Sequence, residues 1–178
     1  MKKVILKDGR ELVLRPAEES DAEQLIAYMN LVGGESDFLT YGKDGCRISA
    51  EGERQFLRNQ TKKSSSLFLV GFIGEELVCS ANLAGESKKR IAHNCELGIT
   101  VKKKYWGLGA ASALLAELIR FAKENETLQV IHLDVYANNE RAIHLYRKCG
   151  FQVAGRLKKY FQVGGQYYDD LVMDLYLS

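Results

Sequence analysis

The chain has 178 residues, 46% of them apolar and 27% charged, with a formal net charge of +2. That length suits one domain with a sizeable core, and the balance is ordinary for a soluble globular protein. So small a net charge gives no ground for nucleic-acid binding, and any phosphate affinity must come from a local site. The apolar stretch in Met1-Lys2-Lys3-Val4-Ile5-Leu6 is too short for a signal peptide, and no segment approaches a membrane span. A cytoplasmic protein with reduced thiols is expected. The four cysteines, Cys46, Cys79, Cys95 and Cys149, show no C-x-x-C spacing, and the three histidines complete no metal-ligand pattern. Cys79, Cys95 and Cys149 read as small buried hydrophobes, and Cys46, in a polar loop, as exposed.

Residues 3–15 alternate apolar and polar around Asp8-Gly9, which predicts a hairpin. Leu25, Ile26 and Met29 mark a helix capped near Glu19 to Asp21, and residues 33–48 form a long loop. Ser49 caps a second helix running to about Gln60, before Ser64-Ser65-Ser66. Strands follow over Leu67–Ile73 and Leu77–Ala84, joined by a turn at Gly74-Glu75-Glu76, and then over 91–101. Leu108, Ala111, Leu115, Leu118 and Ala122 recur at helical steps. Val130–Val135 is a short buried strand, and Asn138 or Asn139 caps a helix ending at Gly150. Phe151–Val163 and Gln166–Leu177 close the chain as a hairpin across Gly164-Gly165. No repeat or linker divides residues 1–178, so the expected fold is one α/β domain. It is a mixed sheet with helices on its faces, containing a right-handed strand–helix–strand crossover from 96 to 135.

The stretch Lys104-Tyr105-Trp106-Gly107-Leu108-Gly109-Ala110 follows a strand and opens a helix. The first amides of a helix lack internal partners and carry partial positive charge. Gly107, Gly109 and the small Ala110 and Ala111 let a bulky anion approach them, and Lys102, Lys103 and Lys104 add charge upstream. A diphosphate suits such a site. The same stretch also fits a plain tight turn beside a solvated basic edge. A dinucleotide-binding turn would want a glycine at Ser112, and a P-loop would want a following Gly-Lys-Ser/Thr.

Two motifs together resemble the GNAT superfamily of acyl-CoA N-acyltransferases. Lys104-x-x-Gly107-x-Gly109 matches its Gln/Arg-x-x-Gly-x-Gly/Ala signature with lysine in the first place. The block from Asn138-Asn139-Glu140-Arg141-Ala142 through Tyr146 to Gly150-Phe151 matches a second one. Glu96-Leu97-Gly98-Ile99-Thr100-Val101 looks like the family's fourth strand, and Tyr167 to Met173 like the end of its last. The resemblance runs the length of the chain and is strongest over 94–151. It implies a centrally splayed sheet and acetyl-CoA as cosubstrate. It implies that Lys104 and the backbone of Gly107, Leu108, Gly109, Ala110 and Ala111 hold the diphosphate. Ile99 and Val101 would pair with the pantetheine arm, Asn139 would contact it, and Tyr146 would reach the sulfur.

The expected activity is acetyl transfer straight to a primary amine of a small molecule or a peptide N-terminus. It needs a base for the ammonium and an acid for the leaving thiolate. Glu96 stands where the family often places the base, against a partly buried structural carboxylate as the other reading. Tyr146 fits the acid, against simple packing beside Ala142 and Ile143. His144 reads as an exposed helix residue and Trp106 as a packing anchor. Glu35, Asp37, Asp169 and Asp170 fall in regions that surround the family's acceptor cleft and would attract a cationic amine. The competing readings are a CoA-binding sensor without turnover and a nucleic-acid binder using Lys102–Lys104. The latter lacks interleaved aromatic residues on a wider basic surface. No nucleic-acid or membrane partner is expected, and the C-terminal hairpin offers an edge for a homodimer.

Overall fold

A computed structural model describes residues 1–43, 45 and 47–177. Eight strands form one sheet: β1 (Lys2–Ile5), β2 (Glu11–Pro16), β3 (Leu67–Ile73), β4 (Glu76–Gly85), β5 (Asn94–Val101), β6 (Val130–Tyr136), β7 (Gln152–Val163) and β8 (Gln166–Tyr176). Four helices accompany them: α1 (Ala22–Gly33), α2 (Ala50–Thr61), α3 (Ala110–Glu124) and α4 (Glu140–Lys148). The strands lie in the order β1-β2-β3-β4-β5-β6-β8-β7. Every adjacent pair is antiparallel except β5 and β6, which the α3 crossover joins in parallel.

Most elements fall where the pattern of the chain puts them. Ser49 caps α2 by accepting the Gly52 amide hydrogen at 3.1 Å, and Asn139 caps α4 through Ala142 at 3.2 Å. Four differences matter. Glu76 belongs to β4, not to the preceding turn. β5 begins at Asn94, because Lys89–Ile91 forms a 3-10 turn. Leu108 precedes α3, whose buried stripe is Ala110, Leu114, Leu115, Leu118 and Ala122. β6 reaches Tyr136. Cys79 and Cys95 are buried and Cys149 is half-buried; Cys46 lies outside the described residues.

The two sheet faces carry different cores. On one, Leu114, Leu115 and Leu118 of α3 and Ile143 and Tyr146 of α4 meet Leu83, Cys95, Leu97, Ile131, Leu133 and Met173. On the other, α1 and α2 bring Leu25, Tyr28 and Leu57 onto Val70 and Leu77, at the β2–β4 end. Strands alternate their side chains between faces. The α3 face therefore takes Cys95, Leu97 and Ile99 of β5. The opposite face takes Glu96, Gly98 and Thr100, and the Tyr28 hydroxyl of α1 meets Thr100 there at 2.9 Å.

β5 and β6 pair over three residues only: Asn94 with Val130, Cys95 with Ile131, and Glu96 with His132. Beyond that rung both strands continue unjoined, to Val101 and Tyr136. The sheet is splayed at its centre.

Candidate active site

The site is built around this splay. On the β4 side the ladder is continuous, and the Lys102 amide still bonds the Val78 carbonyl at 2.9 Å. Asn94 likewise accepts from Glu86 at 3.1 Å. In an antiparallel pair such bonds belong to alternate residues, so the even-numbered residues of β5 bond to β4. The backbone groups of Leu97, Ile99 and Val101 therefore face the gap. An extended chain of amides laid in the gap could pair with them as an added strand. One of these groups is engaged: the Val101 carbonyl accepts the Trp106 indole N–H at 2.7 Å. Trp106 is thus anchored at the end of β5, with the Arg141 guanidinium of α4 over its ring, 4.6 Å from the centroid.

Past Val101 the chain turns through Lys103–Tyr105 into Gly107-Leu108-Gly109 and α3. Gly107 and Gly109 sit at φ +79° and +104°, where residues bearing a Cβ are strained, and nothing lies within 4 Å of the place a Cβ would take at either. No side chain caps α3. The first intrahelical bond runs from Ala113 to the Gly109 carbonyl, leaving the amides of Ala110, Ala111 and Ser112 at the positive end of a 15-residue helix. The Leu108 carbonyl accepts from the Lys7 amide at 3.0 Å, which pins the turn to the β1–β2 hairpin. These features fit a diphosphate: free amides, open space and a fixed loop.

The lysines are used differently from what the sequence suggests. Lys104 and Lys102 both clamp Glu76, at 2.8 and 2.9 Å, and the Tyr105 hydroxyl joins them at 2.7 Å. Hydrogen bonds from Lys104 and then Lys102 hold the Glu76 carboxyl down at about 2. Lys104 is thus directed at β4 and not at the glycine turn. Nothing in the sequence marked Glu76, because its carboxylate reads as part of a turn.

Tyr146 is buried on α4 with its ring 5.8 Å from that of Phe151, and burial pushes its phenol up to about 12. Asn139 spends its side-chain oxygen on the α4 cap, leaving its amide N–H groups as donors. Glu96 is exposed on the face away from α3 and α4, on the last paired rung of the splay.

The expected acceptor carboxylates separate. Glu35 is engaged, accepting the Lys103 amide hydrogen at 2.7 Å. Asp169 is engaged with Arg156 at 2.7 Å and the Lys159 amide at 2.9 Å. Asp37 is exposed near Tyr136, whose phenol is raised by burial and then by the Asp37 charge. Asp170 is fully buried, and neither of its oxygens has a hydrogen-bond partner among the described residues. Burial, followed by the nearby Asp134 charge, pushes it up to about 6. It pairs in register with Tyr136, which stacks on Phe161 at 3.6 Å and meets Phe38 edge-on at 5.7 Å. The loop after α1 therefore crosses the mouth of the splay, from Lys103 beyond β5 to Tyr136 at the end of β6. Asp134, His132 and Asp174 share this face, and the chain pattern did not single them out. The alternation His132, Asp134, Tyr136 was the available signal, hidden by reading β6 as wholly buried.

The model of the acetyltransferase (GNAT) family matches residues 38–151. A GNAT-family acetyltransferase from Streptococcus pneumoniae superposes with a TM-score of 0.91 at 30% identity, over 94% of this chain and 99% of that one. An L-amino acid N-acetyltransferase of Escherichia coli is 32% identical over 105 residues, 59% of this chain and 65% of the relative. A spermidine N(1)-acetyltransferase of Vibrio cholerae is 32% identical over 122 residues, 68% of this chain and 62% of the relative. The match thus spans just under two thirds of the length of each of these two relatives. The chain belongs to the acetyltransferase (GNAT) family, acyltransferases whose acetyl donor is acetyl-CoA. Its mixed α/β sheet is the fold of that family.

Proposed function

We propose that the chain carries the acetyl group of acetyl-CoA directly to a primary amine of a small molecule or a peptide N-terminus, in a ternary complex within the cytoplasm. The observation that carries this reading is the splay that opens immediately after Glu96 and His132 and ends at the uncapped start of α3. Amides of Gly107 to Ala111 would hold the diphosphate, while Ile99 and the Val101 amide would take the pantetheine arm. Acetyl-CoA supplies an activated thioester. An amide facing the gap, that of Ile99 or its neighbour Leu97, would polarise the thioester carbonyl.

The acceptor enters from the opposite face. An alkyl ammonium has a pKa of about 10.4 and must shed a proton before it attacks. Glu96 is the exposed carboxylate at the vertex that can take that proton. Tyr146 holds its proton throughout the neutral range and can offer it to the departing sulfur. Asp134, Asp170 and Asp37 on the acceptor side favour a cationic partner. A homodimer through the β7 edge is compatible with this arrangement.

The test is a turnover screen of L-amino acids, spermidine and alanine-terminated peptides with acetyl-CoA, read as released thiol. Turnover with one class and not the others supports the reading and names the acceptor. Tight acetyl-CoA binding with no thiol release from any class would favour a sensor without turnover.

A further inference from the structure

The last rung before the splay joins two residues, and only Glu96 belongs to the proposed chemistry so far. Its register partner on β6 is His132. Register partners lie on one face about 4.8 Å apart across strands, so the two side chains are neighbours. On the other side of β6, His132 pairs with Asp174 of β8, and its Nδ1 lies 2.7 Å from the Asp174 carboxylate. The row Glu96, His132, Asp174 thus crosses three strands at the vertex where the thioester would sit. The His132 side chain is 38% exposed, whereas that of Asp174 is 11% exposed. The buried carboxylate fixes the ring with Nδ1–H donating to it, which leaves Nε2 as an acceptor.

We propose that His132 is the relay that receives the acceptor's proton from Glu96 and releases it to solvent. This rests on the acetyltransfer reading above. An N–H bond of the ammonium breaks, its electron pair stays on nitrogen, and the proton passes through Glu96 to Nε2. Asp174 balances the imidazolium until its exposed edge gives the proton to water. The free amine then forms the C–N bond as the C–S bond breaks, and the second proton lost from nitrogen balances the one taken up by the thiolate. The charged and titratable groups facing His132 are Glu96 from β5, Asp134 on its own strand, and Asp174, Asp170 and Tyr176 from β8. The Tyr176 hydroxyl lies 3.4 Å from Asp174. Gln152 of β7 closes the row beyond Asp174.

The experiment measures kcat/KM for wild type, H132Q and D174N between pH 6.5 and 10, with spermidine, L-methionine and Ala-Ala as acceptors. H132Q is expected to lose about 10²-fold at pH 7. With spermidine the loss should shrink to less than about tenfold near pH 10, where an amine of pKa about 10.4 is substantially neutral without help, and with the two α-amines it should shrink already near pH 9, above their ordinary pKa of about 8. Nitrogen-15 spectra of histidine-labelled wild type should show the Nδ1–H tautomer, and D174N should lose it while remaining folded. A loss in H132Q that is constant with pH, no loss at all, or an Nε2–H tautomer in wild type would overturn the relay. Wild type that releases no thiol with any of the three acceptors would defeat the acetyltransfer reading itself, and the relay with it.

Discussion

Gly109→Val separates coenzyme binding from folding, because the structure assigns the two effects different causes. Gly109 has φ +104°, so any side chain strains the backbone by about 1–2 kcal/mol, with a β-branched one at the upper end. No atom lies within 4 Å of the new Cβ, so the folded protein suffers strain without a clash. For a chain of this size that strain lowers Tm by about 2–8 °C. The isopropyl group would stand over the amides of Ala110 and Ala111. Losing two charge-assisted hydrogen bonds, at about 1.5–3 kcal/mol each, costs at least about 3 kcal/mol of binding. That is a rise in Kd of about 150-fold. Gly109→Ala carries the φ penalty at its lower end with only a methyl group, so the difference in Kd between the two folded variants reads the blockade while their melts read the strain. Calorimetric titration with acetyl-CoA, beside thermal melts of each apoprotein, reads both numbers. A folded Gly109→Val protein whose Kd stays within about threefold of wild type would refute the diphosphate assignment.

Three further perturbations probe the rest of the site. Tyr146→Phe keeps the ring packing and should lower kcat by about 10²–10⁴-fold with acetyl-CoA affinity nearly unchanged, read by steady-state kinetics and titration; an unchanged kcat where chemistry limits the rate removes Tyr146 from the mechanism. Asp170 binds its proton more tightly when folded, so its contribution to stability falls as pH rises from the ordinary aspartate value of 3.8 through about 6. Asp170→Asn should therefore melt higher than wild type at pH 7–8, with the gap closing below about pH 4, while kcat/KM for a cationic acceptor drops. Cys149→Ala should retain turnover, and intact mass after incubation with acetyl-CoA alone should show no acetyl adduct on any cysteine. The physical ground is that burial raises the Cys149 thiol and pushes Cys79 and Cys95 up to about 12, leaving no ready thiolate among them.

What the sequence revealed depended on whether a feature was local. Gly107 and Gly109, the Asn139 cap and the hairpin alternation of residues 3–15 are written into neighbouring residues, and each appears where the chain pattern places it. Long-range side-chain choices left no such trace. Lys104 reads as a phosphate ligand until β4 brings Glu76 beside it. Glu35 reads as a free loop carboxylate until it caps the Lys103 amide. His132 and Asp174 are 42 residues apart, and only the insertion of β8 next to β6 makes them partners.

This division has a physical consequence for specificity. The proposed coenzyme contacts are mostly backbone groups, which survive wide changes of side chain. A GNAT-family structure at 30% identity accordingly still superposes over 94% of this chain. The proposed acceptor face is made of side chains from β5, β6 and β8 and from the loop after α1, and these are free to diverge. The acceptors of the relatives differ accordingly, an L-amino acid in one and spermidine in another. In this chain Glu96, Asp134, Asp170, Asp174 and Asp37 crowd that face, with His132 as the basic side chain in its central row. The same carboxylates that would draw a cationic amine repel the phosphates of the coenzyme. On the proposed reading the coenzyme would thereby be kept to the α3 end of the gap and the amine to the other side, so that the two substrates would meet only at the Glu96–His132 rung.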